Sequence, residues 1–128
     1  MEEDLVGEVI VTVRRTVTLY RPVGGQELDL IRRSGFRTFP PRLPEQPFFY
    51  PVLNQNYAAQ IARDWNSIDP GSGSVGHVTE FEVDADYLAE FQIHTVGSSV
   101  HREYWIPAEE LGEFNDQIVG RIRVIRSF

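Results

Sequence analysis

The chain has 128 residues, 41% hydrophobic and 12% aromatic, with no cysteine, no lysine among its twelve basic residues, and a net charge of −7. Length and composition are those of one folded globular domain, residues 1–128, and they exclude disulfide scaffolds, thiol catalysis, cysteine-ligated metal centres, lysine Schiff bases and the lysine of a phosphate-binding P-loop. The excess of acid argues against non-specific nucleic-acid binding, which depends on releasing counterions from phosphates. The charge is uneven. From Arg14 to Arg42 seven arginines stand against two acids, Glu27 and Asp29; from Leu43 to Asp116 thirteen acids stand against two arginines. A local basic region on an acidic chain suits a small anionic ligand better than a polyanion, although solvated faces give the same pattern. No apolar run is long enough to cross a bilayer, and the acidic start Met1-Glu2-Glu3-Asp4 is the opposite of a secretory leader. A cytoplasmic protein without a membrane partner is expected.

Residues 1–7 are expected to be flexible. Glu8 to Leu19 alternates and is rich in Val, Ile and Thr, as one long strand or two would be. Gly24-Gly25 breaks it, and Gln26 to Arg33 reads as a helix with Leu28 and Ile31, and at its edge Leu30, on one face, ended by Ser34-Gly35. Arg37 to Pro47 holds four prolines in eleven residues and is neither helix nor central strand. Phe48 to Leu53 reads as a short strand. Asn54 then caps a helix whose apolar stripe is Tyr57, Ala58, Ile61, Ala62 and Trp65. A turn at Asp69–Ser74 precedes a half-exposed strand over Val75–Val83, and Asp84 caps a short helical turn. Phe91–Val96 and His101–Ile106 are strands joined by Gly97-Ser98-Ser99; Pro107 starts a helix through Phe114, and Ile118–Ile125 is a last strand. The order implies an α+β domain around a mixed, mainly antiparallel sheet with two or three helices.

One residue stands out against this background. Glu103 is a carboxylate inside the apolar, aromatic strand His101-Arg102-Glu103-Tyr104-Trp105-Ile106, where an unpartnered charge is costly. Two earlier strips, Thr18-Leu19-Tyr20-Arg21 and Phe48-Phe49-Tyr50-Pro51, also present polar groups among apolar ones.

Taken with Pro22, the helix ending at Gly35 and the helix Tyr57–Trp65, these strips resemble the ADP-ribosyltransferase fold. More narrowly, the segments Phe39–Pro47, Asn56–Asn66 and Arg102–Leu111 are similar to small bacterial proteins described as "ADP-ribosylation/crystallin J1". The likeness covers residues 17–126. The hydrolase half of that description does not suit this chain: those glycohydrolases are all-helical and use clustered acidic metal ligands. The resemblance implies an arginine or histidine on the first core strand, an aromatic or hydroxyl residue on the second and a glutamate on a later one, here Arg21, Tyr50 and Glu103. It implies NAD as substrate and an unidentified acceptor; no metal is expected, because the spacing of the histidines and Glu103 matches no familiar ligand motif. Two departures stand: no Ser-Thr-Ser strip is present, and His101 occupies the position two before Glu103 where a Glu or Gln is usual.

On that reading Glu103 stabilises the positive charge that develops as the nicotinamide–ribose bond breaks. Arg21 pairs with the adenylate-side phosphate or ribose. Tyr50, with Tyr57 or Tyr20, stacks on nicotinamide. Arg37 and Arg42 close over the diphosphate, and His101, on the side of the strand that Glu103 and Trp105 share, orients the carboxylate or the acceptor. Each assignment has a structural rival. Glu103 would pair with Arg102, Arg21 or Arg121; Tyr50, Tyr57 and Trp65 would be core aromatics; Arg37 and Arg42 would be solvated loop charges. A non-catalytic module that binds a nucleotide or protein partner, and an interaction protein using the acidic face, are the alternatives to a transferase. No Gly-x-Ser-x-Gly elbow and no glycine-rich phosphate loop supports hydrolase or phosphotransfer chemistry.

Overall fold

The computed structural model describes the backbone of residues 2–6 and 9–128 and the side chains of residues 14–128. Residues 2–6, expected to be flexible, form a strand, β1 (Glu2–Val6), antiparallel to β2 (Val9–Val13); Met1, Gly7 and Glu8 lie outside the described residues. The alternating stretch up to Leu19 is therefore divided between β2 and β3 (Thr16–Val23).

The remaining elements are α1 (Gly25–Arg33), β4 (Phe48–Phe49), α2 (Gln55–Asp64), β5 (His77–Asp84), α3 (Ala85–Leu88), β6 (Ile93–Thr95), β7 (Arg102–Tyr104), β8 (Ile106–Pro107), α4 (Leu111–Asp116) and β9 (Ile118–Ser127). The class is α+β, with four α-helices among the described residues rather than the two or three expected. Among the described residues every strand pairing is antiparallel, so the expected mixed sheet is not seen.

The core of the molecule is the sheet β3-β5-β9. A single residue extends it: Val52 bridges Tyr20 of β3 on one side and Glu103 of β7 on the other. The backbone bonds are short on both sides, with Val52 N–H donating to the Tyr20 carbonyl at 2.8 Å and Tyr104 N–H to the Pro51 carbonyl at 2.9 Å. The expected strand Phe48–Leu53 is thus two ladder residues at β4, which pair with β8, and one bridge at Val52. Pro47 precedes the stretch and Pro51 interrupts it, and neither can donate to a ladder.

Period-two alternation gives this sheet two unlike faces. Leu19, Val23, Phe81 and Val83 face the larger core with Leu28 and Ile31 of α1, Phe49 and Phe114. Val52 and Val78 face α2 on the other side, where Ala58, Ala59 and Ala62 let the helix come close. Gly76 marks the closest approach: a Cβ there would sit 2.2 Å from the Ala62 carbonyl oxygen. Asn54 caps α2 as expected, its Oδ1 accepting from Tyr57 N–H at 3.0 Å. Trp65 does not join the buried stripe. It ends α2 with a C-cap and is 70% exposed, and Ala59 is buried in its place.

The proline-rich arm, residues 37–47, has no helix or strand, and it is pinned nonetheless. Phe39 is buried against Phe49 and Phe81. Its backbone exchanges two bonds of 2.9 Å with the Asn115 side-chain amide. Arg42 fixes the far end, donating from Nε to the Phe48 carbonyl at 3.0 Å.

Candidate functional site

Beyond the Tyr20–Val52 bridge, β3 and the 48–51 segment separate, because the latter turns away to pair with β8. A cleft of about 320 Å³ opens at this split, lined by Arg21, Pro22, Tyr50, Val52, Ile61, Asn66 and Glu103. The three residues singled out from three separate strips therefore line one cavity. They do not share one face of the sheet. The register row Tyr20–Val52–Glu103–His94 lies on the α2 side, whereas Arg21, one residue on, is opposite Thr79 on the side of the larger core. Arg21 reaches the cleft only where the strands part.

Glu103 is half-buried and held by two neutral donors. Trp105 Nε1–H donates to Oε1 at 2.8 Å and the Tyr57 hydroxyl donates to Oε2 at 3.3 Å. Each donor ring is itself stacked on an imidazole: Trp105 on His94, with ring centres 3.9 Å apart, and Tyr57 on His101 at 4.2 Å. Burial, and then the nearby Glu103 carboxylate, hold the Tyr57 hydroxyl above its ordinary value, so it remains a donor at neutral pH. Among the described residues, Arg102, Arg21 and Arg121 form no ion pair with Glu103, so the salt-bridge rival is not what is found. Its carboxylate oxygens keep lone pairs for a further donor.

Arg21 is only 8% exposed and already engaged. Its Nε and Nη2 donate to the two oxygens of Glu27 at 2.6 and 2.9 Å, and its guanidinium lies 4.6 Å from the centre of the Phe49 ring. Such a closed fork is a structural ion pair first. Tyr50 is half-buried and packs edge-on to Trp105, with centres 6.2 Å apart. Tyr57 and His101 act behind the carboxylate, through the stack just described. Tyr20 does not line the cleft; burial and then Glu80 raise its hydroxyl pKa, which places it beside Glu80. Arg37 is exposed on the arm and lines neither cavity.

A second cavity, of about 350 Å³, lies between α1, the proline-rich arm and the turn at residues 71–72. It shares Arg21, Pro22 and Asn66 with the first, so the two cavities adjoin. Arg42 lines it. Burial most of all, and then the Arg21 guanidinium, pull Arg42 below its ordinary value, while Glu27 and Tyr50 push it back up. Asn66, at the junction, has a buried Oδ1 without a partner among the described residues.

Sequence reasoning passed over Glu27, Trp105 as a donor, His94 and Asn66. Two signals were available: Trp105 shares strand parity with Glu103, and a turn centred on Ser98-Ser99 sets His94 opposite Glu103. The Glu27 lock on Arg21 depends on how α1 docks, which no local pattern carries. Neither models of protein families nor curated proteins give any match to this chain.

Proposed function

We propose that the chain binds NAD in these adjoining cavities and transfers ADP-ribose to an acceptor, with Glu103 as the catalytic carboxylate. The observation that carries the proposal is the convergence of Arg21, Tyr50 and Glu103, from three separate strips of sequence, on one cleft. The finer likeness to the ADP-ribosyltransferase fold belongs to this reading as well. Its support is the resemblance of the sequence strips together with a cleft at the split between β3 and the Tyr50 segment.

Glu103 suits the role because its two donors are neutral. A carboxylate held by Trp105 and Tyr57 keeps its full negative charge available to an oxocarbenium-like ribose as the nicotinamide leaves with the bonding electron pair. Fixed donors also spare the carboxylate reorganisation during the reaction. Tyr50, half-buried beside Trp105, offers an aromatic wall for the nicotinamide ring. The acceptor attacks the ribose carbon and loses a proton; protein side chain, nucleic-acid base and small molecule all stand open as acceptors.

One observation favours a second reading. Arg21 is closed on Glu27, so its charge is largely spent inside the fold, as it would be in a non-catalytic nucleotide- or protein-binding module. Incubation of the purified protein with NAD, with mass spectrometry for free nicotinamide and protein-bound ADP-ribose, separates the two readings. Turnover supports the transferase, and saturable NAD binding without turnover supports the module.

A further inference from the structure

Arg42 is a half-buried cation that the fold does not neutralise. Its Nε is committed to the Phe48 carbonyl, which fixes the plane of the guanidinium and leaves Nη1 and Nη2 outside that bond. The acid beside it is Glu27, and Glu27 already accepts both bonds of the Arg21 fork. Among the described residues no carboxylate forms an ion pair with Arg42. The charged residues lining this cavity are Arg21, Arg42 and Glu27, a surplus of one positive charge on a chain whose net charge is −7. Holding two guanidinium groups close together, partly out of water, around one carboxylate is unfavourable unless an anion joins them. A planar fork with free terminal nitrogens is matched to a phosphate oxygen pair.

The rest of the cavity fits a ligand with a body as well as a charge. Leu30, Pro40 and Leu43 line it with apolar surface, and Leu30 and Leu43 are 47% and 57% exposed. Arg21, Pro22 and Asn66 are walls shared with the Glu103 cleft, and the two cavities measure about 350 and 320 Å³. Each is within the range of sites for small organic molecules.

We propose that this second cavity receives the phosphate or diphosphate of a nucleotide, with Arg42 as its principal anion-binding group. The proposal deepens the NAD reading by choosing among the arginines expected at the phosphates: Glu27 holds Arg21, Arg37 lines neither cavity, and Arg42 on the proline-rich arm is left as the principal contact. It stands on the geometry of this cavity alone and survives if the nucleotide is not NAD.

The test is calorimetric titration of the full chain at low salt with inorganic pyrophosphate, ADP-ribose and NAD. The wild type should bind pyrophosphate, and ADP-ribose more tightly. Arg42→Gln should weaken both at least tenfold and Arg42→Lys less, because a lysine keeps the charge but not the fork. Arg121→Gln, at an exposed arginine of β9 that lines neither cavity, should leave pyrophosphate binding unchanged. Unaltered binding by Arg42→Gln, or no binding of either probe by the wild type, would overturn the proposal; equal affinity for pyrophosphate and ADP-ribose would overturn the nucleotide assignment. Should Arg42→Gln fail to fold, the Arg42 Nε–H resonance of the labelled wild type serves instead: it should move on addition of pyrophosphate, and bound pyrophosphate without such movement counts against the site. Arg42-dependent pyrophosphate binding with no NAD binding sinks the NAD reading and supports this one. NAD turnover that Arg42→Gln does not affect does the reverse.

Discussion

Arg21 and Glu103 occupy neighbouring walls of one cleft, yet their chemical situations are opposite. Arg21 is a buried ion pair with side-chain exposures of 10% for itself and 21% for Glu27, and it contributes to the fold whatever it does for a ligand. Removing one partner of such a pair strands the other charge. Arg21→Ala should therefore cost about 3 kcal/mol in urea denaturation, and the double variant Arg21→Ala, Glu27→Ala should regain part of that loss. His77 supplies a second test at this scale. Its ring is hydrogen-bonded to Ser127 Oγ at 2.7 Å, and burial, then Arg32, lower its pKa from the ordinary value near 6.5. A histidine depressed in the folded state takes up its proton more readily when unfolded. Its contribution is present above about pH 6.5 and is lost as the pH falls through the lower folded value. Stability followed by thermal melts should decline over that interval, and His77→Gln should flatten the decline.

At the scale of elements, α1, α2 and α3 with their caps were legible because their signals are local. The helix expected from Pro107 through Phe114 instead begins at Leu111, and Pro107 belongs to β8, paired with Phe48. Asn54 and Asp84 each accept from the backbone N–H three residues on, and Gly35 follows α1 at a φ of 75°. The Phe48–Leu53 strand was only half legible. Its apolar composition reads as a ladder, but two prolines and the turn towards β8 reduce it to β4 and one bridge, and that interruption is what opens the cleft. Trp65 misled for a related reason: helical spacing places it in the apolar stripe, but α2 lies against the sheet through alanines, and the tryptophan falls past the end of the contact. The closeness of that contact is itself testable. Gly76→Ala puts a methyl group against the Ala62 carbonyl, a backbone atom that cannot swing aside. It should destabilise the protein by about 2–3 kcal/mol in chemical denaturation, whereas Gly112→Ala, whose Cβ meets nothing within 4 Å, should not.

At the scale of the whole molecule, an acidic chain places two of its twelve arginines, Arg21 and Arg42, at one groove. The seven arginines between Arg14 and Arg42 suggested a small anionic ligand. Of these, Arg21 and Arg42 line the groove, while Arg32 pairs with Asp29 and Arg14 with Asp84 outside it. Composition pointed to the region and could not choose among its members, because the choice depends on how α1 and the proline-rich arm fold over β3. Among the described residues no helix is long and apolar enough to cross a membrane. In the proposed reaction Glu103, held by Trp105 and Tyr57, acts on NAD bound in this groove. The most direct measurement is the rate of nicotinamide release from NAD by the wild type and by Glu103→Gln, with circular dichroism to verify that the variant folds. Release by the wild type, reduced on the order of 100-fold in a folded Glu103→Gln, is the expected result; equal rates in the two proteins, or a wild type that neither binds NAD nor releases nicotinamide, would contradict it.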